Sequence, residues 1–194
     1  MGIFALFLFA PLAAQEAHFQ ITARNPASQP QKQADEVPKM CPKTSEFELC
    51  IPKTYTVAPI QEGDTKNIFL MSRQLQDGVV HLFGSANPRE QGNMVIFGHS
   101  DDFFWKKGNY KTVFSLLDRL AKGDPLFIWV SGELLRYEVE DTRTISPNDL
   151  SVLDQNKNGE YLTLITCWPP GTTLQRYAVL AKRQIQNVTT EKIP

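Results

Sequence analysis

Between Ile51 and Arg183 short apolar runs recur at near-regular intervals, cut each time by Gly, Asn, Asp or Pro. Runs of four to eight β-branched and aromatic residues bounded by turn formers read as strands. IFLM (Ile68 to Met71) reads as one such run, and Val79 to Phe83, between Gly78 and Gly84, as another. MVIFG (Met94 to Gly98) follows the turn residues Gly92 and Asn93. PLFIWV (Pro125 to Val130) and LLRYEVEDTRTI (Leu134 to Ile145) bracket Ser131 and Gly132 and read as a hairpin. In the second of these, Tyr137 and Val139 fall on one face, with Arg136, Glu138 and Glu140 on the other. EYLTLIT and RYAVLAKR close the set. One stretch has a helical period: in VFSLLDRLAKGD, Val113, Leu116, Leu117 and Leu120 fall at i, i+3, i+4 and i+7, and Gly123 stops it. Seven or eight short strands with one helix predict an all-β domain, a closed or nearly closed barrel. About 135 residues suffice for one core of that kind.

The chain before residue 56 is of another character. Gly2 to Ala14 is apolar without a break. As a helix it would span about 20 Å, short of the ~30 Å hydrocarbon core. Two readings compete for residues 1–14: an atypical signal peptide, since the first basic residue is Arg24, or part of a membrane anchor. Both place the domain outside the cytoplasm. Residues 15–55 read as an extracellular linker, polar and without period. Cys41 and Cys50 within it, in CPKTSEFELC, predict a disulfide closing a small loop in an exported protein. No close second pair of Cys or His accompanies them, which argues against a zinc site. The catalytic domain is expected over 56–188, with a tail at 189–194. A formal net charge of −1 gives no sign of a nucleic-acid binder.

Pairing Cys41 with Cys50 leaves Cys167 over, and a leftover cysteine in an exported protein is a candidate reactive thiol. Cys167 directly follows the run LTLIT, and His99 directly follows MVIFG. Strand ends are where a rigid scaffold presents catalytic groups. A thiol needs a base to act as a nucleophile, and His99 can serve. Arg176, which opens the run after the Pro169–Pro170–Gly171 turn, adds a fixed cation with several donors for a developing oxyanion. Each residue alone has a duller reading: a core cysteine, a structural loop histidine, a surface arginine on an edge strand. His81, in VVHLF, is an alternative base, although its pattern is that of a packed strand position. Asp101 and Asp102 either orient an imidazole or solvate the loop. Trp168, with Thr166 and Ser100 beside the two reactive residues, is a candidate for contact with a substrate. Trp105 and Trp168 either line a groove or pack on the barrel rim.

From about Asp64 to Lys182 the chain resembles the sortases, cysteine transpeptidases of the bacterial cell surface. The matching pieces stand in the family's order: LQDGVVHLFGSANPREQGNMVIFGHS, then VFSLLDRLAKGD, then LTLITCWPPGTTLQRYAVLA. The most specific piece is TLITC with an arginine nine residues on. The TCWPPGT turn is more similar to class D-like sortases than to the pilin-polymerising ones. The resemblance implies an eight-stranded barrel, with His99, Cys167 and Arg176 as the catalytic histidine, nucleophile and arginine. It implies a two-step acyl transfer on an LPxTG-like sorting signal, through a Cys thioester, to an amine from a cell-wall precursor or a pilin lysine. No cofactor is expected. Some sortases bind calcium through acidic loop residues, and no carboxylate set here maps onto that site, so no metal is assigned. Two rival readings remain: a cysteine hydrolase on the same barrel, and a non-catalytic extracellular binding barrel. Peptidoglycan-building transpeptidases with an SHGC motif are a poor match, because the motif is absent.

Overall fold

The computed structural model describes residues 40–63, 68–101 and 108–185. The leader at 1–14, the linker before Met40, Asp102, Trp105 and the tail at 189–194 lie outside the described residues. The described residues form eight strands: β1 (Phe47–Ile51), β2 (Thr56–Glu62), β3 (Val79–His81), β4 (Gly92–Phe97), β5 (Pro125–Val130), β6 (Glu133–Ile145), β7 (Glu160–Trp168) and β8 (Gln175–Arg183). They close into a barrel in the order β1-β2-β3-β4-β7-β8-β6-β5, with β5 pairing back onto β1. Two pairs are parallel, β2 with β3 and β4 with β7. The β5–β6 hairpin turns on Ser131 (φ 50°) and Gly132 (φ 82°), both left-handed, as a two-residue turn with the twist of its strands requires.

Two local expectations are corrected. IFLM is not a strand but the start of a short helix, α1 (Ile68–Gln74). The reason is topological: β2 and β3 run parallel, so the chain between them must cross back along the barrel. A short apolar run cannot be told from a helical one by period alone. The stretch from Val113 to Leu120 forms no α-helix. It is a chain of tight turns ending in a 3₁₀ turn, Leu117–Arg119. The Ser115, Leu117, Arg119 and Leu120 N–H groups each donate three residues back, and the Phe114 N–H donates instead to His99 O at 2.9 Å. Of the expected apolar face, Leu116, Leu117 and Leu120 are buried and Val113 is partly buried; Phe114, which was not on it, joins Leu117 and Leu120 in plugging the barrel interior. β1 lies inside the stretch read as linker and pairs with both β2 and β5.

Strand alternation sorts the rest. Leu49 and Ile51, Met94 and Ile96, Leu126 and Ile128, Leu162 and Leu164, Val179 and Ala181 point inward and form the main core with Tyr137 and Val139. The intervening residues point outward. On most of the surface they meet solvent, but two outer patches are covered. On β1 and β5, Cys41 and Cys50 are joined by a disulfide and pack with Phe127. There the Trp129 Nε1–H donates to Cys41 O at 3.0 Å. On β4, β7 and β8, Val95, Ile165 and Ala178 pack with Ile145 and Val152. The roof of this second patch is the segment 146–159 between β6 and β7, which carries a 3₁₀ turn, Ser151–Leu153.

Candidate active site

The three candidate catalytic residues come together through strand register. Cys167 on β7 stands directly opposite Arg176 on β8, and opposed residues in an antiparallel pair have Cβ atoms about 4.5–5.5 Å apart. β4 runs parallel to β7 with Phe97 beside Ile165. The pairing carries on past the strand end: the Gly98 N–H donates to Ile165 O at 3.2 Å, and the Thr166 hydroxyl donates to Gly98 O at 2.8 Å. Carried one residue further, the same register would bring His99 level with Cys167. Alternation then fixes the face. Cys167 follows Ile165, His99 follows Phe97 and Arg176 precedes Ala178, and all of these belong to the outward set. Histidine, thiol and guanidinium thus share the outer face at one end of the barrel, over β4, β7 and β8.

Each of the three is partly exposed, as a group that meets a substrate must be, and Cys167 is a free thiol. Arg176 Nη1 donates to Thr173 O at 3.2 Å and to Gln175 O at 2.9 Å. Those bonds use at most two of the five guanidinium donors. They tie the cation to the turn that follows Cys167. His99 is held through its own carbonyl, which accepts from the Phe114 N–H. Phe114 is also why residue 98 is glycine: a Cβ there would lie 2.4 Å from the Phe114 ring. The turn between β7 and β8 includes a cis Trp168–Pro169 bond and Gly171 at φ 78°. A Cβ on Gly171 would lie 3.2 Å from Asp101 Oδ2, so Asp101 abuts that turn.

The remaining candidates differ in their surroundings. His81 is buried, with Nδ1 3.0 Å from Glu62 Oε2 and Nε2 donating to Ala86 O at 3.1 Å. Both ring nitrogens are committed within β3 and its neighbours, so the alternative base is a packed strand residue. Thr166 and Ser100 are buried too. The Thr166 hydroxyl donates its proton to Gly98 O, which aligns the two strand ends. Trp168 packs on Tyr177 with ring centroids 5.4 Å apart, and is partly exposed. Among the described residues, no three His, Cys, Asp or Glu side chains gather to hold a metal, and no helix is long and apolar enough to cross a membrane. Sequence reasoning did not single out Asn93, Thr163 or Gln155. Asn93 and Gln155 tie the roof of the outer patch to β4, and Thr163 on β7 holds Asn93; the sequence marked Asn93 only as a turn residue ahead of an apolar run.

The sequence pattern of the Sortase domain family matches residues 49–184. Sortase D of Bacillus subtilis (strain 168) is 30% identical over 177 residues, covering 90% of this chain and 80% of that protein. The chain belongs to the sortase family. With the family comes its enzyme class, the cysteine transpeptidases of the cell surface. Solved sortase structures share the barrel. Sortase C-1 of Actinomyces oris superposes with a TM-score of 0.62 at 27% identity, over 89% of this chain and 98% of that one. Sortase C of Clostridium perfringens, solved with the C-terminal cell wall sorting motif, superposes with a TM-score of 0.59 at 24% identity, over 71% of this chain and 69% of that one. The sortase match begins at Leu49, within β1, so the first barrel strand lies in or beside the family's boundary.

Proposed function

We propose that this sortase cleaves an LPxTG-like sorting signal and transfers the acyl group to an amine, with Cys167 as nucleophile. The observation that supports it is the register that sets Cys167 opposite Arg176, with β4 running beside β7 as far as Phe97, two residues before His99. His99 takes the Cys167 thiol proton, and the Sγ thiolate attacks the carbonyl carbon of the residue before the scissile bond, so that the carbonyl oxygen becomes an oxyanion. Arg176 donates hydrogen bonds to that oxyanion. On collapse the peptide nitrogen leaves, taking a proton from His99, and a thioester remains. The incoming amine attacks the thioester, His99 accepts its proton, and Sγ departs as the leaving group. Each bond broken is matched by one formed, and no cofactor enters.

The apolar part of the signal would lie on the outer patch beside Cys167, where Leu82, Phe97 and Leu153 remain partly exposed at the edges of the buried cluster. Trp168 and the exposed Leu174 flank Cys167 and Arg176 and would meet the incoming amine. We assign the amine to a cell-wall precursor or a pilin lysine, and the hold on the membrane to residues 1–14. The TCWPPGT turn and the similarity to Sortase D support a class D-like subclass.

The test is product analysis by mass spectrometry. The protein is incubated with an LPxTG-like peptide, with and without a glycine-based amine. A transpeptidase gives the amine adduct, at the expense of the free acid, as amine rises. Free acid alone at every amine concentration would assign a hydrolase, and intact peptide throughout would leave the site without the proposed activity.

A further inference from the structure

The roof of the outer patch is held down by uncharged amides. Gln155 Oε1 accepts from two backbone N–H groups of the facing strand and loop, Ala86 at 3.1 Å and Asn93 at 3.2 Å. Its Nε2 donates to Leu153 O at 2.8 Å, so one side chain closes its own segment onto β4 and the loop before it. Asn93 completes the tie from beneath. Its Nδ2 donates to Val152 O at 2.9 Å, and its Oδ1 accepts from the Thr163 hydroxyl at 2.7 Å. Asn93 and Thr163 are fully buried, and buried polar groups are retained where they are paired. Two further bonds run along the same seam, Gln91 Nε2 to Lys157 O at 3.2 Å and Gly92 N–H to Gly159 O at 2.9 Å.

These bonds set the position of the 3₁₀ turn Ser151–Leu153. It places Val152 on Val95 and Ile165, and Ile165 is two residues from Cys167 on the same face of β7. A loop of this length with so little regular structure is ordinarily a binding loop or disordered. Among the described residues, the groups that join it to β4 and its loop are amides and backbone.

We propose that Gln155, with Asn93, is a positioning residue for the peptide groove: it pins the 146–159 segment so that the apolar wall beside Cys167 is formed before the peptide arrives. A preformed wall removes the ordering cost that binding would otherwise carry. The latch holds no charge of its own, so it is insensitive to ionic strength, unlike an exposed ion pair. The inference rests on the reading of the outer patch as the peptide groove.

Two variants test it. Gln155→Leu keeps the approximate volume and removes the acceptor, leaving the Ala86 and Asn93 N–H groups without it. Gln155→Glu keeps an acceptor for both. The readouts are kcat and KM for the sorting peptide, the rate of Cys167 alkylation by iodoacetamide, and amide hydrogen exchange at Ala86 and Asn93. For Gln155→Leu we expect lost protection at both amides and a KM raised about tenfold, which is about 1.4 kcal/mol. Its kcat and alkylation rate should stay within about twofold, because Cys167 stands on β7 rather than on the loop. Gln155→Glu should recover most of the KM. An unchanged KM in Gln155→Leu overturns the proposal, as does a parallel fall of kcat and KM-independent alkylation, which would mark general loosening. If the unaltered protein turns over no peptide, the functional reading fails by itself. Hydrogen exchange then still decides the latch: unchanged protection at Ala86 and Asn93 in Gln155→Leu refutes it.

Discussion

Gly98→Ala should injure the active site through a residue that touches no substrate. The added Cβ would lie 2.4, 2.7 and 2.8 Å from three carbons of the Phe114 ring. Ordinary contact begins at 3.4 Å, so the ring must retreat by up to about an ångström. Phe114 is buried in the barrel core, and close-packed interiors leave little room to give. Overpacking of this kind costs about 1–3 kcal/mol. For a domain of this size that is a fall in Tm of about 3–10 °C. The larger effect falls on catalysis. The Phe114 N–H holds His99 O at 2.9 Å, so movement of Phe114 drags the base relative to Cys167. A displacement near 1 Å in a reacting group costs on the order of a hundredfold. The assay is kcat/KM for a sorting peptide well below the measured Tm, alongside thermal unfolding. Phe114→Leu in the same chain should relieve the clash, so the double variant should be less impaired than the sum of the singles. Gly98→Ala with wild-type kcat/KM and Tm would refute the reasoning, as would strictly additive effects in the cycle.

Further outcomes follow from the same structure. Tyr137 is buried in the core, and its hydroxyl pKa is pushed up from 10.0 to about 12, first by burial and then by the nearby Glu160. The folded state therefore favours the neutral phenol. That stability is fully present below pH 10 and is lost as pH rises towards 12, by roughly 3 kcal/mol at most. Denaturant melts of Tyr137→Phe should lack that decline, and equal slopes for both proteins would contradict it. Replacing Cys41 and Cys50 together by Ala opens a loop with a sequence separation of 9, which should cost roughly 2–3 kcal/mol. The peptide kcat/KM should be largely kept, because β1 and β5 lie across the barrel from β7. Loss of activity in proportion to stability would show that the disulfide supports the site.

The barrel was legible because alternation survives in a single sequence. Tyr137 and Val139 faced the core as their spacing required, and the turn signals at Ser131 and Gly132 marked a true hairpin. Helical content was less legible. Val113 to Leu120 kept the burial that its period implied but not the α-helical bonds, because the Phe114 N–H goes to His99, a partner distant in sequence. IFLM failed because only the parallel pairing of β2 with β3 shows that this segment must cross over. β1 was hidden in polar surroundings: FELCI has a buried glutamate, Glu48, whose carboxylate accepts hydrogen bonds from the Thr44 N–H and hydroxyl. The site was visible as residue types at strand ends. Its convergence was not, since that depends on β4 lying beside β7, a contact between segments some seventy residues apart. Nothing in the pattern separated Thr166 and Ser100, which are buried, from the partly exposed side chains beside them. The amide latch was invisible for a similar reason, because Asn93 reads as a turn residue until its side chain is seen beneath Val152.

The central claim is that Cys167 carries the acyl group. Intact-protein mass spectrometry after brief mixing with an LPxTG-like peptide, followed by digestion, measures this directly. The account predicts an added mass equal to the acyl fragment on the peptide containing Cys167. The mass should disappear on addition of an amine and be absent in Cys167→Ala of unchanged fold. An acyl group found elsewhere, or peptide cleavage retained in Cys167→Ala, would contradict it.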